Sequence, residues 1–122
     1  MFKRGDHAVV HRFATAFRAG STGAIRSLLT HDVVAVSDSG GRVAAAIAPV
    51  RGADQVARCV TELLRPGTVL SVEAVNGQPG VVLRTPDGAA VAVLSLKVAG
   101  PKVSTVWIVL NPDKLRHWRP RE

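Results

Sequence analysis

The 122-residue chain has one cysteine, no tyrosine and few aromatic side chains, namely three phenylalanines and two tryptophans. Because Cys59 has no second cysteine to pair with, an internal disulfide is excluded, and a cytoplasmic location is the simplest expectation. No apolar run approaches the roughly 18 residues of a membrane-spanning helix, and no secretion signal follows Met1. We therefore expect a soluble protein with no membrane partner and an aliphatic core.

Acidic residues are also few, since nine Asp and Glu stand against 16 Lys and Arg and the formal net charge is +7. More than half of this excess lies near the two ends of the chain. We interpret the ends as basic tails, over 1–6 and 116–122, of a single domain spanning 1–122. The chain has no row of aromatic residues for stacking bases, so direct sequence-specific nucleic-acid binding is not predicted.

Three segments show apolar residues at three- and four-residue spacing, which is the period of an amphipathic helix. The first covers residues 7–19. The second is short and follows Ser21, whose side chain can cap it. The third begins at Asp54 and is stopped by the sequence Arg65-Pro66-Gly67.

Runs of β-branched residues separated by Gly, Pro, Asn and Asp predict the strands. A hairpin is expected from 33–37 and 43–47. A meander of four strands is expected from 69–75, 81–84, 89–98 and 103–110, with a turn over 76–80. This order of elements is typical of an α+β fold in which three helices pack on one face of a mostly antiparallel sheet.

Two polar segments stand where a predicted strand reverses or ends. The first signature segment is Asp38-Ser39-Gly40-Gly41-Arg42-Val43, at the tip of the predicted hairpin. The second signature segment is Asn111-Pro112-Asp113-Lys114-Leu115, after the last strand, and its Leu115 is expected to reach back to apolar surface. Exposed loops often bind partners, so a contact site and a turn that merely ends a strand are both open interpretations.

Trp107 and Asn111 are four residues apart at the end of the last predicted strand. The two-residue period of a strand places both on one face, which makes them the candidates for lining a pocket there. The two-residue period alone does not tell whether that face of the sheet packs against the helices.

With these elements in this order, nearly the whole chain resembles the SnoaL-like members of the nuclear-transport-factor-2-like (NTF2-like) superfamily, in which a curved sheet wraps around helices as a cone. The signature segments are similar to the Asp-Gly-Gly-Gly-Lys-Val and Asn-Pro-Asp-Lys-Leu motifs in the C-terminal extension of a group of extracytoplasmic-function sigma factors. Ser39 and Arg42 depart from the first motif, whereas the second motif is matched throughout.

The resemblance implies a regulatory domain that modulates transcription initiation by contacting sigma-factor domains and RNA polymerase. The contact residues that it implies are Asp38, Gly40, Gly41, Arg42, Val43, Asn111, Pro112, Asp113, Lys114 and Leu115. It also implies a homodimer for the isolated domain. Because the two sigma domains of that family are not in this sequence, we expect an excised domain, a truncated product or a free-standing relative.

Two alternatives follow from other members of the superfamily. A stand-alone SnoaL-like protein would bind an apolar small molecule in its aliphatic cone. A polyketide-cyclase-like or isomerase-like enzyme would need a carboxylate base, for which Asp38 and Asp113 are the candidates. Isomerase chemistry with a Tyr oxyanion donor is disfavoured because Tyr is absent. No cofactor is predicted, and no metal site either, since His7 and His11 lack a third ligand.

Overall fold

The computed structural model describes residues 4–38, 49–110 and Leu115. The three helices are α1 (Arg4–Arg18), α2 (Thr22–Ser27) and α3 (Ala53–Thr61). The six described strands are β1 (Leu29–Asp38), β2 (Val50–Arg51), β3 (Val69–Val75), β4 (Gln78–Arg84), β5 (Ala90–Ala99) and β6 (Lys102–Val109). Among the described residues, no helix combines the length and the apolar character needed to cross a membrane.

The helices form where the sequence pattern places them. In α1 the apolar stripe is fully buried, and the rings of Phe13 and Phe17 meet edge to face with their centroids 6.0 Å apart. The predicted cap of α2 is confirmed, because the Ser21 hydroxyl accepts a hydrogen bond from the Ala24 amide at 3.1 Å. That bond satisfies one of the amides that a helix start leaves without an intrahelical partner.

The strands form one sheet in the order β2-β1-β6-β5-β4-β3. All neighbouring strands are antiparallel except β1 and β6, which run parallel. One face of this sheet packs against the three helices in a single aliphatic core. The α+β fold with helices on one side of a mostly antiparallel sheet is therefore confirmed.

The other face of the sheet, which we call the open face, carries the side chains that alternate with the core residues. On β4, for example, Val81 and Leu83 join the helix-side core, whereas Val82 between them points to the open face. The open face has its own smaller apolar cluster of Val75, Val82, Val93 and Leu115. Among the described residues, no polar or charged side chain is fully buried on either side.

Two details of the sheet differ from the predicted arrangement. The five-residue turn over 76–80 is wrong, since β4 already begins at Gln78. Asn76 and Gly77 both have positive φ, 53° and 80°, and a two-residue turn of this kind matches the twist of the strands it joins. The predicted return strand 43–47 lies outside the described residues, and the described antiparallel partner of β1 is instead the short strand β2.

Candidate functional site

The strands that lead into the two signature segments, β1 and β6, end side by side at one end of the sheet. Asp38 is the last residue of β1, and it is paired in the parallel register with Val109, the last residue of β6. The amide of Leu110 donates a hydrogen bond to the Asp38 carbonyl oxygen at 2.7 Å. Parallel neighbouring strands end at the same edge of a sheet. Asp38 and Leu110 are therefore neighbours in the structure although they are far apart in sequence.

Most residues of the signature segments lie outside the described part of the chain. These are Ser39, Gly40, Gly41, Arg42, Val43, Asn111, Pro112, Asp113 and Lys114. Asp38 and Leu115, which open the first segment and close the second, are described. The pocket candidate Asn111 and the base candidate Asp113 therefore stay predictions.

Leu115 is buried on the open face, with 8% of its surface exposed, against Val75, Val82 and Val93. The expectation that it reaches back to apolar surface is confirmed. The described residues on either side of 111–114 are therefore placed, Leu110 beside β1 and Leu115 over strands β3 to β5.

Asp38 also lies on the open face. Along β1 the buried residues Val33 and Ala35 face the core, so the residues that alternate with them, including Asp38, face away from the helices. Its register partner Val109 packs against the open-face cluster, in agreement with this assignment. The Asp38 side chain is half-buried there and does not point into the helix-side core.

Trp107 is 44% exposed and faces the same side of the sheet. It lines a cavity of about 340 Å³ together with Val75, Pro79, Ser95 and Val109. We call this cavity the Trp107 groove. This groove lies on the outer surface of the sheet and not between the sheet and the helices, and a binding role for the pocket candidate Trp107 stays a prediction.

A second cavity of about 400 Å³ opens at the end of the sheet where the signature segments start. We call it the mouth cavity. Its walls come from the loop after α3, including Leu63 and Pro66, from Pro86 in the β4–β5 turn, and from Val91 and Leu110. Leu110 thereby connects the mouth cavity to the Asp38 carbonyl and to the start of the second signature segment.

The mouth cavity is not evident from the sequence. Pro66 was interpreted only as part of a helix terminator, and nothing in the sequence indicates that its loop meets the β4–β5 turn at Pro86. The contact is made through Gly67, where an added Cβ would lie 3.6 Å from the Pro86 ring. The one sequence feature that could have indicated the cavity is the proline in each loop, because a proline presents an apolar ring and has no backbone donor.

Asp87 follows Pro86 of the mouth cavity in sequence, and Cys59 lies on α3; the surroundings shift the pKa of each. A hydrogen bond from the Thr85 hydroxyl lowers the pKa of the exposed Asp87 carboxyl, so this group stays ionised. Burial raises the pKa of the Cys59 thiol on α3, which favours the protonated form over the reactive thiolate. Across residues 4–38 and 49–110, no three His, Cys, Asp or Glu side chains are grouped to hold a metal ion.

No protein-family model matches this sequence. The sigma factor SigJ of Mycobacterium tuberculosis, an extracytoplasmic-function (ECF) RNA polymerase sigma factor, is 32% identical to it over 117 residues. That match covers 87% of this chain but 38% of SigJ, so the chain spans well under half of the relative's length.

Solved structures give the same assignment. The crystal structure of M. tuberculosis SigJ matches with a TM-score of 0.68 and 28% identity, over 92% of this chain and 44% of that one. An NTF2-like protein of unknown function from Mesorhizobium loti matches with a TM-score of 0.63 over 91% of this chain and 96% of that one; at 15% identity it supports the fold only. The chain therefore has an NTF2-like fold and is a homologue of part of the ECF sigma factor SigJ.

Proposed function

We propose that this chain is a regulatory domain of the ECF sigma-factor type that modulates transcription initiation by protein contact. The observation that carries the proposal is the hydrogen bond from the Leu110 amide to the Asp38 carbonyl. It starts both signature segments at one edge of the sheet, so a partner can touch both at once. The partners that we propose are sigma-factor domains and RNA polymerase, and a cytoplasmic location goes with that role.

The contact surface that we propose consists of the two signature segments and the mouth cavity between their starting points and the loop after α3. The proposed contact residues are those predicted from the motifs, with Asp38 and Leu115 as the described ends. Arg65 lies exposed beside the cavity, and the lining behind it is largely apolar. Interfaces commonly combine such an apolar centre with a polar rim.

The composition of the domain's interior favours a protein-contact function over a catalytic one. The helix-side core of the described residues is filled by aliphatic side chains and two phenylalanines, and it contains no buried carboxylate. A polyketide-cyclase-like enzyme would need a carboxylate facing a bound carbonyl compound, whereas Asp38 faces the open side of the sheet. Acid–base catalysis requires the base within hydrogen-bond reach of the proton it removes.

The test uses a chimera in which this chain replaces the region of SigJ that it matches. Promoter-dependent transcription by RNA polymerase is measured with the double variant Asp113→Ala/Lys114→Ala in the second signature segment. We expect a changed transcription rate together with an unchanged melting temperature, because charged loop residues contribute to contacts more than to stability.

The matched control is the double variant Asp32→Ala/Lys102→Ala. It removes the same two charges from exposed positions near the opposite end of the β1–β6 pair. Equal transcription in the signature variant, the control and the unchanged chimera, all folded, would remove the proposed function.

A second candidate function is the binding of an apolar small molecule in the mouth cavity, whose volume of about 400 Å³ is within the range of ligand sites. Thermal shift measurements against chemically diverse lipids and polyketides test it. A stabilising compound should lose its effect in Val91→Trp, which adds apolar volume at an exposed position of the cavity wall. We also propose a homodimer for the isolated domain, to be measured by light scattering after size-exclusion chromatography.

A further inference from the structure

We propose that the Trp107 groove is a docking site for this chain's own C-terminal segment, residues 116–122, and that the Trp118 indole is the group that enters it. That segment lies outside the described residues. The inference rests on the groove, on the position of Leu115 and on the sequence that follows. It does not rest on the proposed function, although Leu115 also closes the second signature segment.

The groove has the size and chemistry of an indole site. Its volume is about 340 Å³, and its walls combine the Trp107 ring and the Pro79 ring with the polar side chains of Gln78 and Ser95. Aromatic rings pack favourably against each other, and a buried indole N–H needs an acceptor, which an amide or hydroxyl oxygen supplies. Trp107 itself, at 44% exposure, is a large apolar surface that a second ring would cover.

A glycine on β4 lies against one residue of the groove wall. Gly80 is the register partner of Glu73 on β3 and lies on the same face of the sheet as Val82. A Cβ at Gly80 would lie 2.5 Å from the Val75 Cγ2 atom, closer than real side chains approach. The strand therefore presents bare backbone beside Val75, which is one of the residues that line the groove.

Leu115 brings the chain to the edge of this groove. It is buried in the open-face cluster against Val75, and Val109 also packs on that cluster. Val75 and Val109 both line the Trp107 groove as well. The residues after Leu115 therefore continue from a point that shares two of its neighbours with the groove.

Trp118 follows Leu115 closely enough to reach the groove. Three residues span up to about 10 Å when extended, and neighbouring strands are only about 4.8 Å apart. The segment also carries Arg116, Arg119 and Arg121, and the Asp38 carboxylate lies on the same face beside Val109. Because the ligand is tethered, its effective concentration at the groove is high.

The test is fluorine NMR of the full chain labelled with fluorotryptophan, which gives two resonances because the chain has two tryptophans. Trp107→Phe and Trp118→Phe assign them. We expect the Trp118 ring to show a solvent-isotope shift several-fold below that of free fluorotryptophan. We also expect the Trp107 resonance to move in Trp118→Ala and to stay in place in His117→Ala, the matched control.

A variant that blocks the groove provides the second measurement. Gln78→Arg places a longer, charged side chain at an exposed position of the groove wall, and it should raise the Trp118 isotope shift to the free value in a chain that melts normally. A Trp118 ring that is fully solvated in the unchanged chain overturns the proposal. Protection that disappears on dilution also overturns it, because the occupant is then a second copy.

Discussion

The Arg84 guanidinium donates two hydrogen bonds to the Glu73 carboxylate, from Nε to Oε2 at 3.0 Å and from Nη2 to Oε1 at 2.9 Å. The pair joins β3 to β4 on the open face. Its side chains are only 13% and 20% exposed, and the Ser71 hydroxyl donates a further hydrogen bond to the carboxylate. These hydrogen bonds raise the pKa of Arg84, which stays charged throughout the accessible pH range.

Glu73→Gln should destabilise the domain by about 1–2 kcal/mol, because a largely covered guanidinium loses its counter-charge. Urea unfolding measures the change. Arg26→Gln is the control: the Arg26–Asp54 pair has a similar distance of 2.9 Å, but its side chains are 59% and 68% exposed. Exposed pairs contribute about 0–1 kcal/mol, so a loss as large in Arg26→Gln would contradict the assigned role of burial.

Gly80→Ala should destabilise the domain by about 1–3 kcal/mol, in the range of overpacked interiors. The new methyl group would meet Val75 Cγ2 at 2.5 Å and the Leu94 carbonyl oxygen at 2.7 Å, and the backbone oxygen cannot rotate away.

Gly23→Ala is the matched control for that change. Gly23 lies within α2, has no neighbour within 4 Å of the added carbon and shows no positive φ. Alanine there should stabilise the domain by about 0.5–1 kcal/mol, as expected for an exposed helical glycine. Thermal melting of the two variants should therefore move in opposite directions, and shifts of the same sign would show that the close contacts at Gly80 are easily relieved.

Leu115→Ala should cost about 2 kcal/mol, at the low end for a buried leucine because its cluster on the open face is small. Urea unfolding followed by circular dichroism provides the number. Val69→Ala removes apolar surface from a strand residue that is 50% exposed and should change stability by less than about 0.5 kcal/mol. Equal effects of the two changes would mean that Leu115 does not hold the second signature segment to the sheet.

Cys59 should react slowly with iodoacetamide near neutral pH, and faster once the chain is unfolded in urea. Its thiol is half-buried, and burial followed by the nearby Glu62 charge raises its pKa, so little of the reactive thiolate is present. The folded state holds this proton more tightly than the unfolded state. Its contribution to stability is therefore present below the thiol's unfolded pKa and is lost as pH rises through the folded pKa. Labelling of the native chain as rapid as that of free cysteine, measured by mass spectrometry, would refute this.

Local sequence patterns predicted the helices and most strand positions because those depend on neighbours in sequence. The α1 stripe around Phe13 and the cap at Ser21 are local features of this kind. The turn after β3 was predicted too long because Asn76 was not recognised as one of two left-handed residues of a tight turn.

The site was less predictable, since it arises from contacts between distant segments. The motifs identified the signature segments, but their shared origin depends on the parallel pairing of β1 with β6, which no local pattern encodes. The mouth cavity requires the loops at Pro66 and Pro86 to meet, and the orientation of Trp107 depends on which face of the sheet the helices cover.

The parallel pairing of β1 and β6 has a consequence for folding on the ribosome. Of the described strands, β1 is synthesised first and β6 last, yet β6 is the long neighbour of β1 in the sheet, whereas β2 pairs with only two residues of β1. Contacts between such remote parts of a chain slow folding. During translation the sheet therefore cannot be completed until β6 has emerged from the ribosome. Until then the incomplete sheet is exposed to chaperones and to aggregation.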